Sequence, residues 1–373
     1  MASPSATRLW YCQHGSLVLL FLMIVIGRVC GRIVTLSNVA LPADTRGELM
    51  LTGEVSVLPY GGVFFVYVNN WGGCVGVDCC PTGNCATCCF NPPSIRYPDG
   101  CVYTTNHSVV VYATVDFVSF EFRGEALPAI ARTAGIEFRP QVLYNHKSQL
   151  FVMWYENRWP GQNGYAVATS ATPHGPFTTV AASVPLSGGG KMGDFDLFVD
   201  ADGTAYHVRT GGGAMPTTVE QLTPTYLAGT GVSVTFQLTK PAEAPTMFRR
   251  GKLYYLLVGS LCCACRGGSN IMVYTSTSPL GPFAYQGDVG SNGTHPFDPA
   301  SPYNYVTRAQ GTKVWPVEAA DGTTQHVWLG NQWVTAANGA RNQDLLYWSV
   351  LEFDVDGRLL PVSRSDVTQL SVP

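Results

Sequence analysis

Charge is what this chain has least of. Asp, Glu, Lys and Arg make up 13% of its 373 residues, against about 25% in an ordinary soluble domain. The 22 basic and 25 acidic residues nearly cancel, to a net charge of -3. No basic run is present to hold a phosphate backbone, which excludes a nucleic-acid partner. Apolar residues at helical spacing are nearly absent, so a helical bundle is excluded; only Ala126 to Gly135 leaves room for a short helical turn. Trp-Asp blade signatures of the protein-interaction type do not recur. Gly188 to Lys191 is rich in glycine but lacks the Ser/Thr and helix of a phosphate loop. His207 sits in a strand pattern and reads as a packed residue, and His295, near Asp298, has no Cys or His at zinc spacing. No metal ligand and no cofactor is therefore assigned.

Glycine (40), Tyr (18) and Phe (17) are plentiful, which suits many short strands joined by tight turns. Near the start, Arg8 and His14 precede the apolar run Ser16 to Gly27 (SLVLLFLMIVIG). That run fits a signal-peptide core of about 7–15 residues and falls short of the roughly 20 of a membrane span. Residues 1–31 are expected to be a signal peptide, or else a signal anchor, which is the one route to a membrane, with the domain then held in the Golgi. Residues 32–373 form one domain, secreted or in the lumen of the secretory pathway. Asn106 and Asn292 head glycosylation triplets. Of the 12 cysteines, seven lie from Cys74 to Cys101 and three at Cys262, Cys263 and Cys265. An oxidising compartment favours disulfides over a metal cluster. Both counts are odd, so full pairing requires a bridge between the two groups.

The chain repeats. VATSATPHGPF (167–177) returns as VYTSTSPLGPF (273–283). Ahead of each copy stands a strand, a turn and a second strand: Arg139-Pro-Gln-Val-Leu-Tyr with Leu150-Phe-Val-Met-Trp-Tyr, and Glu243-Ala-Pro-Thr-Met-Phe with Leu253-Tyr-Tyr-Leu-Leu-Val. Further copies open at Glu54, Asp194 and Gln310, with turns at Gly61-Gly62, Asp202-Gly203 and Asp321-Gly322. Five hairpin-led units of about 50 residues each read as an all-β, five-bladed β-propeller with four strands per blade.

The first strand of a blade is the innermost. The openers Glu54, Arg139, Asp194, Glu243 and Gln310 are then expected to meet at one end of the channel. The loops after each second strand return to that end and carry Trp71, Trp159 and Trp333. An exposed indole there suits stacking on a sugar face, and packing beneath the loop is the alternative. Paired carboxylates in a wet funnel suit acid–base chemistry. An acid protonates a leaving oxygen, and in an inverting glycosidase a base about 6.5–9.5 Å away activates water. A third carboxylate raises the pKa of the acid, and Arg139 is placed to orient a carboxylate or a sugar hydroxyl.

RPQVLYN (139–145) with LFVMW (150–154), GDFDLFVDADGTAY (193–206), EAPTMFRRGKLYYLL (243–257) and the SPLGPF repeat resemble glycoside hydrolase family 43, most closely its exo-β-1,3-galactanase branch. The likeness extends over about residues 45–360. It implies a five-bladed propeller and an inverting mechanism, with Glu243 as general acid and Asp194 as the residue that tunes and orients it. Glu54 falls where most of the family has its base, and Gln310 falls where the galactanase branch is proposed to have a glutamine in that role. Some propellers of the family hold an ion, whose ligands the sequence does not place. The branch usually reads Glu-Arg-Pro in the second blade. Here Phe138 precedes Arg139, and Glu137 lies one residue earlier, on the other side of the strand. The His-Gly-Gly stretch expected near the first strand reads Thr52-Gly53-Glu54. The implied activity is hydrolysis of a galactan-type poly- or oligosaccharide, and the alternative is a non-catalytic sugar-binding propeller.

Overall fold

A computed structural model describes residues 9–12, 30–71, 107–133, 136–158, 164–187, 193–211, 216–260, 266–291, 305–319 and 321–373. Both cysteine groups, Trp159, Gly188 to Lys191, His295, Asp298, the two glycosylation triplets' asparagines and the apolar run 16–27 lie outside the described residues. Two strands come first, β1 (Leu9–Cys12) and β2 (Cys30–Ser37). Blade one is β3 (Gly53–Tyr60), β4 (Val63–Asn70), β5 (Ser108–Thr114) and β6 (Glu121–Leu127). Blade two is β7 (Ile136–Asn145), β8 (Leu150–Arg158), β9 (Gly164–Ser170) and β10 (Thr178–Ala181). Blade three is β11 (Phe195–Val199), β12 (Ala205–Thr210), β13 (Thr217–Leu222) and β14 (Gly229–Phe236). Blade four is β15 (Ala242–Arg250), β16 (Leu253–Ser260), β17 (Met272–Ser276) and β18 (Ala284–Asp288). Blade five is β19 (Gln310–Glu318), β20 (Thr324–Gln332) and β21 (Leu345–Leu351).

Each blade is an antiparallel meander, and β3, β7, β11, β15 and β19 touch one another in a closed ring round the channel. The five-bladed propeller is as the repeat implies, with one difference. Blade five has three strands, not four. Between blades one and two, a 3-10 turn at Ala129–Ala131 falls within the stretch expected to be helical. The two copies of the Gly-Pro-Phe repeat turn alike, with φ 85 at Gly175 and 80 at Gly281. A β-carbon at Gly175 would lie 2.5 Å from the carbonyl oxygen of Ala126, so this corner of blade two reaches blade one only as glycine.

Strands buried on both faces explain the low charge. Five apolar clusters fill the five gaps between blades. Tyr67, Val111 and Met153 pack between blades one and two, and Trp154, Val167 and Leu197 between two and three. Val208, Met247 and Leu256 fill the third gap, and Leu257, Val314 and Trp328 the fourth. The fifth gap, between blades five and one, is different. Val34 and Leu36 of β2 and Leu370 and Val372 of β22 (Val367–Val372) join Val66, Trp315 and Trp348 there. β22 and β1 flank β2 in a separate three-stranded sheet, so the two ends of the domain pair with each other at the closure.

The Asn38 side chain helps to bind that sheet to blade five. Asn38 Nδ2 donates to the carbonyls of Trp348 at 3.1 Å and Ser365 at 3.0 Å, and its Oδ1 accepts from the Trp348 amide at 2.7 Å. The amide side chain thus stands in for a missing rung of the ladder on the outer side of β21. Asn38→Ala leaves the Trp348 amide without its acceptor, at about 1–3 kcal/mol for an unsatisfied group, while the Trp348 carbonyl keeps the Thr368 hydroxyl as its donor. Equilibrium denaturant unfolding of this variant is expected to show a loss of about 1–3 kcal/mol; a loss below measurement error would show that the closure does not depend on Asn38.

Candidate active site

The openers meet. Arg139 Nε lies 2.9 Å from Asp194 Oδ1 and 3.9 Å from Glu54 Oε1, and Arg139 Nη1 donates to the Gly311 carbonyl at 3.2 Å. Gln310 Nε2 donates to Glu243 Oε1 at 2.8 Å and to Asp194 Oδ2 at 3.4 Å. Residues from all five blades therefore form one polar cluster at one end of the channel. They reach it in different registers. The inner strands of blades one, two and four each carry a bulge, after Gly53, Phe138 and Glu243. Its first residue has a positive φ without being glycine: Glu54 at 47, Arg139 at 51 and Ala244 at 52. Such backbone costs about 1–3 kcal/mol at each position, and it turns the side chain out of the regular pleat. Glu54 and Arg139 sit on the bulge itself, whereas Glu243 precedes it. The blade-two counterpart of Glu243 is thus Phe138, not Arg139.

The carboxylates are treated differently by their surroundings. Glu54 Oε2 accepts from the Arg139 amide at 2.8 Å and from Asn69 Nδ2 at 3.2 Å. Burial pushes the Glu54 carboxyl up to about 7, against the pull of the Arg139 charge, with Asp194 adding repulsion. Asp194 has a side chain 15% exposed. Its loop is pinned by Tyr165, whose hydroxyl donates to the Gly193 carbonyl at 2.6 Å. Arg139 has a side chain only 1% exposed. Burial works against its charge, but Asp194, Glu54, Glu243 and Glu156 together hold its pKa above the ordinary value.

Two of the tryptophans are not exposed platforms. Trp71 is fully buried, and its Nε1 donates to the Glu137 carbonyl at 3.2 Å. Trp333 is 4% exposed, and its Nε1 donates to Gln310 Oε1 at 2.8 Å. Their rings stack at 6.3 Å, and Trp71 also meets Phe138 at 5.8 Å. Each indole N–H found a backbone or amide acceptor, so the rings pack beneath their loops and do not offer a bare face to a sugar. Glu137 points away from the cluster, as alternation requires. It is fully buried beside His107, and burial pushes its carboxyl up to about 8. His207 is packed as expected, stacked on Phe195 at 4.8 Å.

Three participants escaped the sequence reading. Glu156, opposite Phe138 across the sheet, adds a buried carboxylate near Glu54 and Arg139. Asp196 and Lys313 form a buried ion pair one layer below the cluster. Asp196 Oδ2 also accepts from Thr246 Oγ1 and the Met247 amide, each at 3.0 Å, and Lys313 Nζ donates to the Leu197 carbonyl at 2.7 Å. The spacing of Asp194 and Asp196, two apart at the entry to β11, was the available signal for a second inward carboxylate. Among the described residues no group of three or more His, Cys, Asp or Glu side chains converges as a metal site would need.

Arg139→Ala would strand several buried carboxylates, and breaking a buried pair in this way costs about 3–5 kcal/mol. That loss is expected near pH 7 in denaturant unfolding. The folded pKa of Glu54, about 7, lies above its ordinary 4.5. Folding therefore favours the protonated group, and stability falls as pH rises between these values. In the variant the penalty should shrink at pH 5, where Glu54 is protonated; an equal penalty at both pH values would show that Arg139 does not serve to balance it.

Glycosyl hydrolases family 43 is the family whose model matches the chain, over residues 91–316. No curated protein sequence matches it. Among solved structures, a family 43 β-1,3-galactosidase with bound galactodeoxynojirimycin superposes with a TM-score of 0.67 at 18% identity, covering 87% of this chain and 97% of the other. An exo-β-1,3-galactanase from Clostridium thermocellum gives 0.67 at 24% identity, covering 87% of this chain and 64% of that one. An exo-β-1,3-galactanase variant from Phanerochaete chrysosporium with β-1,3-galactotriose gives 0.66 at 18%, covering 89% and 67%. These likenesses concern the fold. The family match spans more than half of the sequence, and the chain belongs to glycosyl hydrolase family 43.

Proposed function

We propose that this glycoside hydrolase removes galactose from the end of a β-1,3-galactan or a related oligosaccharide, with inversion. The reading rests on the contact between Glu243 and the Gln310–Asp194–Arg139–Glu54 cluster at one channel mouth. Glu243 is the general acid, Asp194 orients and tunes it, and Glu54 is the base. The galactose-type ligands of similarly folded proteins support the sugar. Gln310 is 2.8 Å from Glu243, which leaves no space for a water and a sugar ring between them. An inverting pair needs about 6.5–9.5 Å. A carboxylate is also a far stronger proton acceptor than an amide at neutral pH.

The step is a single displacement. Glu54 takes a proton from water as the oxygen attacks the anomeric carbon. Glu243 gives its proton to the departing glycosidic oxygen, and α-galactose is released. Burial around the cluster strengthens each of these interactions. Because Glu54 must be ionised, kcat/KM is expected to rise with pH through about 7. Glu54→Gln and Glu243→Gln should each lower kcat on β-1,3-galactobiose by about 10²–10⁴-fold while keeping the melting temperature near that of the parent. Proton NMR of the first product reads the anomer. β-Galactose as first product, or full activity in Glu243→Gln, would overturn the assignment.

The segment ahead of the domain is proposed to direct the chain into the secretory pathway, supported by its short apolar run. β1 pairs with β2 at an edge, so its removal leaves the pairing of β2 with β22 intact. Mass spectrometry of the protein made in secretory cells should find a start near residue 32 and no free thiols. A full-length chain in the membrane fraction would instead mark an anchor, and a cytosolic chain with free thiols would sink the proposal.

A further inference from the structure

Gln310 has two faces, and chemistry decides which atom each one shows. The indole N–H of Trp333 is a donor and nothing else. The atom it meets at 2.8 Å must therefore be the amide oxygen of Gln310. The NH₂ end is then the one that faces Glu243 Oε1 at 2.8 Å and Asp194 Oδ2 at 3.4 Å. This orientation follows from the partners alone, without any choice between nitrogen and oxygen positions. Trp333 itself has little freedom to move. It is 4% exposed, stacks on Trp71 at 23°, and has the Arg341 guanidinium 5.7 Å from its ring centroid.

The consequence falls on the acid. Glu243 must carry a proton to protonate a leaving group, and either carboxyl oxygen is chemically able to hold it. Oε1 already accepts a hydrogen bond from an NH₂ group that cannot reverse while Trp333 occupies its oxygen. A proton on Oε1 would face that donor. We infer that Trp333 is a positioning residue which, through Gln310, confines the catalytic proton of Glu243 to Oε2. In this arrangement Gln310 serves the acid as a donor and is not available as the base. The inference rests on the reading of Glu243 as acid given above.

Among the described residues, the charged groups gathered with Glu243 about Arg139 are Asp194 from blade three, Glu54 from blade one and Glu156 from blade two. None of them changes in Trp333→Phe, which keeps an aromatic ring and removes only the donor. In that variant the Gln310 amide is free to turn. Its oxygen then accepts from a proton on Oε1, which stabilises the protonated acid and points the proton the wrong way. The alkaline limb of kcat/KM is expected to move up by about half a pH unit or more, with kcat on galactobiose about tenfold lower and KM nearly unchanged; tenfold corresponds to about 1.4 kcal/mol. On 2,4-dinitrophenyl β-galactoside, whose leaving group needs no proton, most of the loss should vanish. A merely structural role would lower stability or raise KM for both substrates and leave the pH limb in place.

The closing experiment compares the parent, Trp333→Phe, Glu243→Gln and Gln310→Met on both substrates, with carbon-13 titration of the Glu243 carboxyl in parent and Trp333→Phe. A higher titration midpoint in Trp333→Phe, with a leaving-group-dependent loss that disappears in the Gln310→Met background, supports the inference. An unchanged midpoint overturns it, whatever the substrate proves to be. If Glu243→Gln shows no leaving-group dependence, the acid assignment fails instead. A parent inactive on both galactosides removes the substrate reading while the titration still decides the role of Trp333.

Discussion

A single buried guanidinium sets the terms for everything at this channel mouth. Arg139 is held among Asp194, Glu54, Glu243 and Glu156, at a depth where an isolated carboxylate would simply take up a proton. Its charge lets several acids lie close together without all of them becoming neutral. It also reaches across the ring to the Gly311 carbonyl, so the same group that balances the charge ties blade two to blade five. The balance is incomplete at Glu54, where burial still holds the carboxyl up at about 7. A base with a pKa near neutrality combines a useful fraction of ionised groups with strong proton affinity.

The backbone cooperates with that charge arrangement. Propeller blades present a pleated wall to the channel, and a regular pleat would send every second side chain away from it. The bulges at Glu54, Arg139 and Ala244 break the alternation at the height where the chemistry lies. Left-handed backbone at non-glycine residues is costly, and three such sites in equivalent places of three blades are retained together. The hydrogen bond from the Arg139 amide to Glu54 shows what is gained. The bulged backbone itself becomes a donor to the proposed base.

Much of this was legible in the sequence. The repeat of hairpins gave five blades because strand, turn and strand have a short, local signature. The five openers came together because symmetry carries equivalent positions to one end. What was not legible was register. Glu243 and Arg139 look like equivalent openers in sequence, yet the bulge makes Phe138 the counterpart of Glu243. A two-for-one mismatch between strands leaves no mark in composition or alternation. Between the two readings open for the tryptophans, local sequence had no means to choose, for a related reason. An indole on a polar loop looks exposed, but Trp71 and Trp333 found acceptors in Glu137 and Gln310, contacts made only after the ring closes. Blade five lacks its fourth strand because β2 and β22, from opposite ends of the domain, fill the same gap, a pairing no local pattern announces.

The channel also explains why chemistry is confined to one mouth. Beneath the cluster, the buried Lys313–Asp196 pair joins blades five and three, and Thr246 of blade four bonds to the same carboxylate. Below that layer lies a cavity of about 680 Å³ lined by the far ends of the inner strands, including Tyr60, Phe198, Phe248 and Trp315. Lys313 lines that cavity and reaches Asp196 from it. Lys313 and Asp196 therefore act as the floor of the site. Their cost in desolvation is met in part by the bonds from Thr246 and the Met247 amide to Asp196 and from Lys313 to the Leu197 carbonyl, so three blades are tied together directly beneath the cluster.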